Sequence, residues 1–263
     1  MILKLSEIDY EKVLKFIRKD NARNYFIRLG LESNKPVFEN IYAQVDGDGN
    51  MRAALFHRKS GNLQFYADGA FEVEGFTEIL RSIQFRTLIS PSSFCDRFED
   101  KQIFDEVKEG AYIAELKDYK RQYEYGSYHD VKPLSLKDLD IVIDLYSKVF
   151  PSHSSLEVMR EKFEGGRGRG VCIKKDGRII AVAQSEFEET KSALIVGVAT
   201  DPDYQGKGYA SQCLEVLCKE LLSEGKKLFL QYDNIDAGRI YGRLGFRPID
   251  QVKHYKRALS LSK

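Results

Sequence analysis

Ala193-Leu194-Ile195-Val196-Gly197-Val198-Ala199-Thr200, then Asp201-Pro202-Asp203-Tyr204, then Gln205-Gly206-Lys207-Gly208-Tyr209-Ala210-Ser211, is the stretch on which the reading of this chain turns. The apolar run reads as a buried strand, the proline segment as a turn, and the spaced glycines as the start of a helix. Glycine at such a junction lets a polyphosphate come close to the backbone, and the amides of a helix N-terminus point toward it. The helix dipole adds about 0.3–1 kcal/mol for a well-placed negative charge, and Lys207 brings a full positive charge to the same place. Cys213, Leu214, Val216, Leu217, Leu221 and Leu222 recur at helical spacing after it, which anchors that helix in a core. Neither the three-glycine dinucleotide pattern nor the Gly-Lys-Ser/Thr of a nucleotide-hydrolysing loop is met. The residues fit Gln/Arg-x-x-Gly-x-Gly/Ala instead.

Working outward, the second half reads as a strand near Val131, helices Leu136–Val149 and Leu156–Glu164, and strands Val171–Lys174, Arg178–Glu186 and Ser192–Ala199. A helix Gly208–Ser223, a strand Lys227–Tyr232, a helix Ala237–Leu244 and a strand from Phe246 follow. The first half runs in the same order. Helices are expected at Asp9–Asp20 and Arg23–Leu31, strands at Phe38–Val45, Met51–His57 and Leu63–Tyr66, then helix Glu72–Ser82, strand Phe85–Ile89, helix Ser93–Lys108 and strand Ala111–Leu116. Leu5-Ser6, Asp9 and Val13 match Leu134-Ser135, Asp138 and Val142, and Asp48-Gly49 falls against Asp176-Gly177 at nearly the same offset. A shared order and a shared offset point to duplication. The boundary is expected between Lys117 and Tyr128, a polar stretch whose Tyr119, Tyr123, Tyr125 and Gly126 suit a linker packed at a seam or, less readily, a stacking surface.

The chain of 263 residues is 43% hydrophobic and 31% charged, the balance of a globular protein, with a net charge of +1. No global field draws it to nucleic acid or to an anionic membrane. Four cysteines without a CxxC pair predict reduced thiols and no metal site. No apolar run reaches the length of a membrane span, and a cytoplasmic location is expected.

Gln205 to Ala210, after a strand ending Gly197-Val198-Ala199-Thr200, resembles the acetyl-coenzyme A signature of the GNAT N-acetyltransferase superfamily. Asn234, Ala237, Tyr241, Gly245 and Phe246 are similar to its second pattern, Asn-x-x-Ala-x-x-x-Tyr-x-x-x-Gly-Phe. The resemblance covers Val131 to Arg257; over the first half it is one of element order alone. It implies an α+β (mixed α/β) fold of two GNAT-like halves, each a mixed, largely antiparallel twisted sheet flanked by helices. Residues 1–120 would be a degenerate half without catalysis, covering the active half or shaping its acceptor cleft, and residues 128–263 the active N-acetyltransferase.

The resemblance further implies acetyl-coenzyme A as acyl donor and no metal. Val198, Ala199, Thr200, Gln205, Gly206, Lys207, Gly208, Tyr209, Ala210, Ser211 and Asn234 would bind the coenzyme, with its extended arm in a slot between the strand ending at Ala199 and strand Lys227–Tyr232. Moving an acetyl group to an amine by direct attack in a ternary complex needs an acid for the departing thiolate and a base for the amine. Tyr241 is the candidate acid, against the plain reading of a helix aromatic packed on the sheet. Asn234 suits a helix cap as well as a coenzyme ligand.

The family often has a glutamate on the strand before the loop, yet Ala193 to Ala199 holds no carboxylate. Glu186 is the candidate base, with Glu188 beside it, against the plain reading of surface strand glutamates. His153 is a further residue for the acceptor side, against the plainer reading of a solvated loop histidine. A reaction on already neutral amine needs no dedicated base. In the first half Ala67-Asp68-Gly69-Ala70-Phe71-Glu72 lacks a second glycine and a base, and Asp68 and Glu72 would repel a pyrophosphate. The expected partner is a small-molecule or peptide amine, with neither nucleic acid nor membrane; a homodimer is compatible with the sequence. The reading from another class is a non-catalytic acyl-coenzyme A sensor or scaffold, which has no need of an acid at Tyr241.

Overall fold

The computed structural model describes residues 1–5, 9–33, 36–122 and 130–257. Ser6, Tyr123, Tyr125, Gly126 and Tyr128 lie outside them. The chain divides into two compact units, Met1–Ile113 with Ile249–Lys263, and Ala114–Pro248.

The first unit contains β1 (Ile2–Lys4), α1 (Tyr10–Ile17), α2 (Tyr25–Leu31), β2 (Phe38–Val45), β3 (Met51–Arg58), β4 (Asn62–Ala67), α3 (Val73–Ser82), β5 (Thr87–Pro91), the short α4 (Ser92–Cys95) and most of β6 (Glu106–Leu116). The second contains β7 (Val131–Pro133), α5 (Leu139–Val149), α6 (Leu156–Glu164), β8 (Gly170–Lys175), β9 (Arg178–Glu186), β10 (Ser192–Thr200), α7 (Tyr209–Ser223), β11 (Lys227–Tyr232), α8 (Ile235–Leu244) and the start of β12 (Phe246–Lys256). Both follow one plan. β1 to β4 form an antiparallel run, and β4 then pairs in parallel with β5. β7 to β10 form the same run, and β10 pairs in parallel with β11. In the first unit β5 is flanked by the C-terminal part of β12, antiparallel from Val252↔Pro91 to Lys256↔Thr87. In the second, β11 is flanked by the end of β6.

The expected helix Ser93–Lys108 is not formed. One α-turn ends at Cys95, a 3-10 turn follows over Asp96–Lys101, and Gln102 at φ 54° closes it in the left-handed region. From Glu106 the chain is strand, a length that the alternation of Val107 with charged neighbours allows. Cys95, Phe98 and Ile103 are buried with Phe65, Phe76, Leu80 and Leu88. Tertiary packing thus outweighed the helical spacing of the phenylalanines.

Helices cover both faces of each sheet, so the central strands are buried over most of their length. In the second unit Val182 and Ala199 pack with Leu139, Val142, Leu145, Tyr146 and Met159 of α5 and α6. On the opposite face Ala181, Ala183 and Ile195 pack with Cys213, Leu214, Leu217 and Leu221 of α7 and Leu244 of α8. All four cysteines are buried and unbridged.

The parallel pairs decide where a site can form. β10 and β11 are paired from Ser192↔Lys227 to Leu194↔Phe229, although both strands run on, to Thr200 and Tyr232. β4 and β5 are likewise paired only at Asn62↔Thr87 and Leu63↔Leu88. Two residues past that point the first unit closes its own gap. The Ser90 hydroxyl donates to the Phe65 carbonyl at 2.5 Å and accepts from the Phe65 amide at 3.2 Å. Phe65 is fully buried and ringed by Phe71, Phe76 and Phe98. Among the described residues no side chain bridges the corresponding pair of the second unit, Val196 and Gln231. Ser90→Ala is therefore expected to lower stability by about 1–3 kcal/mol, because it strands a buried amide and carbonyl. A urea midpoint unchanged from that of the parent would contradict this.

Candidate active site

The turn after β10 is built by local polar chemistry. The Asp201 side chain accepts from the Asp203 amide at 3.1 Å and pairs with Lys148 at 3.1 Å. Burial pushes the Asp201 carboxyl up, but these hydrogen bonds outweigh it and hold the group below its usual value. Gly206 at φ 76° and Gly208 at φ 78° then adopt left-handed backbone that residues with a Cβ avoid. A Cβ at Gly206 would meet no protein atom within 4 Å, so conformation and not crowding demands glycine there. Gly208 is the N-cap of α7 and supplies no side-chain acceptor to its first turn, which leaves the helix start without the usual cap. Gln205, Gly206 and Lys207 are exposed, Tyr209, Ala210 and Ser211 half-buried. Lys207 and Lys175 each place an ammonium 5.6 Å from the Tyr204 ring centroid, which gathers two cations at the loop.

Just before the loop β10 leaves the β9 ladder. Its register passes from Val196↔Gln184 to Ala199↔Val182, one residue more on β10 than on β9. The bulge is set by Gly197 at φ 59°, whose carbonyl accepts from the Tyr146 hydroxyl at 2.8 Å. A Cβ at Gly197 would lie 1.9 Å from that hydroxyl. Bulges re-aim a strand, and here one bends β10 where it parts from β11. Val198 lies in the bulge with Gly197, Ala199 is buried against α5, and Thr200 is half-buried.

Tyr241 projects from α8 onto the core of the opposite face, which it shares with α7, its ring 5.6 Å from that of Tyr232 and 6.1 Å from that of Phe246. Its hydroxyl forms no hydrogen bond to another described residue. Burial, with a smaller contribution from Cys218, pushes its phenol up to about 12. Asn234 caps α8: its side-chain oxygen accepts from the Asp236 amide at 2.8 Å and the Ala237 amide at 3.3 Å. Between α7 and α8 lies a small open groove lined by Ser211 and Leu214 of α7, by Ile240, Arg243 and Leu244 of α8, and by Gln122.

The two candidate carboxylates separate clearly. Glu188 is spent on structure, accepting from Arg169 at 2.7 Å and from the Ser185 hydroxyl at 2.5 Å, with Lys226 at 3.3 Å. Glu186, at the end of β9, lies 3.8 Å from the Lys162 ammonium, and its charge acts on the buried Tyr146 phenol. Burial first, and Glu186 second, raise that phenol's pKa. His153 is exposed, its ring 6.2 Å from that of Tyr146.

Three residues of this region carried no signal in the sequence. Tyr146 sits at a helical core spacing with Val142 and Leu145 and reads as plain packing; Lys162 reads as a solvated charge. Glu215 is wholly buried in α7, where its carboxylate accepts from the Gln122 amide at 3.0 Å and holds the segment before the undescribed residues. Among the described residues no cluster of His, Cys, Asp or Glu could hold a metal ion, and no helix is long and apolar enough to cross a membrane.

Residues 139–246 match the sequence model of the Acetyltransferase (GNAT) family. That part of the chain is similar to a GNAT domain, and the two halves of the chain have a GNAT-like fold. Solved structures agree in fold over nearly the whole length. A GNAT-family acetyltransferase from Colwellia psychrerythraea has a TM-score of 0.69 at 12% identity, covering 98% of this chain and 99% of that one. A GCN5-related N-acetyltransferase from Sphaerobacter thermophilus gives 0.66 at 15% identity, covering 97% and 95%. A tandem GNAT protein from the clavulanic acid biosynthesis pathway gives 0.62 at 12%, covering 98% of each. No curated protein matches.

Two outcomes follow from the geometry. Gly197→Ala should cost at least about 1–2 kcal/mol through left-handed strain alone, with the clash against Tyr146 added, and denaturant melts check it. Tyr241 should remain neutral through pH 10 and ionise near 12, favouring the folded state below its unfolded pKa and losing that contribution as pH rises through 12. A phenolate difference titration of the parent against Tyr241→Phe reads this directly.

Proposed function

We propose that the second unit transfers an acetyl group from acetyl-coenzyme A to a primary amine by direct attack in a ternary complex, as a cytoplasmic enzyme. The observation that carries this reading is the early end of the β10–β11 ladder beside a glycine loop in left-handed backbone. Strand edges that part within a domain offer amides and carbonyls to an extended ligand, much as a sheet edge accepts an added strand. Val198, Ala199 and Thr200 line that edge. Gln205, Gly206, Lys207, Gly208, Tyr209, Ala210 and Ser211 hold the diphosphate at the start of α7, and Asn234 binds the coenzyme beside its capping role.

The amine nitrogen attacks the thioester carbon and the carbon–sulfur bond breaks with its electron pair on sulfur. Glu186 takes the proton lost by nitrogen, and Tyr241 gives its own to the thiolate. A phenol held near 12 is protonated at neutral pH and able to donate. The first unit is the degenerate half: Ser90 already occupies the Phe65 amide and carbonyl, and Asp68 and Glu72 follow where the loop would lie.

Calorimetry with acetyl-coenzyme A should show one site per chain. Tyr241→Phe should keep that binding and lose about 10²-fold or more in kcat, read as thiol release with a panel of amines. In the parent, kcat should climb with pH as the amine deprotonates, with no falling limb from Tyr241 below pH 10. Binding without turnover on any amine would favour the sensor or scaffold; no binding at all would end the reading.

A further inference from the structure

Lys162 is among the least exposed charged residues of the second unit, with a side chain only 8% accessible. Its surroundings deliver its ammonium to one place. α6 ends at Gly165, and the Arg167 amide returns to the Lys162 carbonyl at 3.0 Å. Gly168 lies against the lysine stem so closely that a Cβ there would come within 3.0 Å of Cγ and Cδ, and within 2.5 Å of the Ser185 carbonyl. The stem is therefore clamped between its own helix and β9. The nearest anion is Glu186, 3.8 Å from the ammonium and itself 15% accessible. Glu186 ends β9, and Phe187 after it takes φ 47°, which turns the chain away and leaves the carboxylate at the strand end. The Glu186 charge also acts on Tyr146, whose hydroxyl holds the Gly197 bulge.

Burying an ammonium is costly unless a partner compensates, and burial does lower the Lys162 pKa while Glu186 opposes that fall. A buried pair adds little stability over apolar packing. What it adds here is placement: a carboxylate held at the end of β9 beside a clamped cation.

Resting on the reading of Glu186 as base, we infer that Lys162 is a positioning residue for acetyl transfer, holding the Glu186 carboxylate oriented toward the amine. Lys162 touches neither substrate nor thioester; it acts through Glu186. The proton leaving the amine nitrogen passes to the Glu186 carboxylate and returns to solvent after product departs, and Lys162 keeps its own proton throughout.

The experiment is a double-mutant cycle on the full chain, with kcat, the KM for each substrate and thermal stability measured for each variant. Lys162→Met keeps the length of the stem and removes the charge; Lys162→Arg keeps the charge. Lys162→Met is expected to lower kcat at least tenfold with the coenzyme KM unchanged, and Lys162→Arg to restore most of it. Adding Lys162→Met to Glu186→Gln should cost nothing more, since the lysine has then no carboxylate to hold. Multiplying losses in the double variant, or full kcat in a folded Lys162→Met, would overturn the inference. If Glu186→Gln retains full activity, the base and this role of Lys162 fall together, while acetyl transfer by the parent still stands. A Lys162→Met chain that fails to fold leaves the comparison of Lys162→Arg with the parent: a shift in the amine KM alone, at constant kcat, would contradict the positioning role.

Discussion

A parallel strand pair that stops pairing part-way leaves backbone amides and carbonyls inside a domain, and each must find a partner or remain open to a ligand. Most of what distinguishes the two units follows from how that requirement is met. In the first, a serine hydroxyl satisfies both groups of Phe65, and phenylalanines pack around the closure. In the second, β10 bends away through Gly197 and the strand edges beyond Leu194 and Phe229 are left apart. One plan thus gives a sealed core in one place and a slot in the other.

The slot is maintained by interactions that surround it without filling it. Tyr146 ties the bulge to α5, and Asp201 with Lys148 shapes the turn that follows. Gly206 and Gly208 bring the chain into α7 through left-handed backbone, so the start of the helix carries no capping side chain. At the far side Tyr241 lies on the core through two aromatic neighbours while its hydroxyl is left to one side. The loop cations by Tyr204 and the Tyr241 phenol by Tyr232 are the groups on which the proposed acetyl-coenzyme A reading draws.

The charged residues divide along the same line. Arg169, Glu188 and Lys226 form a network that pins the end of β9, and Glu215 is consumed by the segment near Gln122. Glu186 and Lys162 are paired at a longer distance and lie nearer the bulge. Carboxylates two residues apart in sequence thus have separate fates, because neighbouring positions at a strand end face different partners.

The glycine loop, the capping asparagine, the tyrosine of α8 and the order of elements were legible in the sequence, since each depends on local geometry: left-handed backbone, a helix start, a period of two or of 3.6. Strands β2, β9 and β11 and helix α6 have the residue bounds that patterning alone predicts. The segment 93–108 escaped that logic because its phenylalanines serve a core shared with β4 and α3, not a helix of their own. Only tertiary structure decided that β12 pairs with β5 while the end of β6 flanks β11. It alone also showed that Ser90 seals one gap, that Tyr146 holds the β10 bulge at Gly197, and that Lys162 is buried against Glu186. Those are contacts between residues far apart along the chain. Each depends on a side chain whose type suits an ordinary core or surface position equally well, so nothing local marks it in advance.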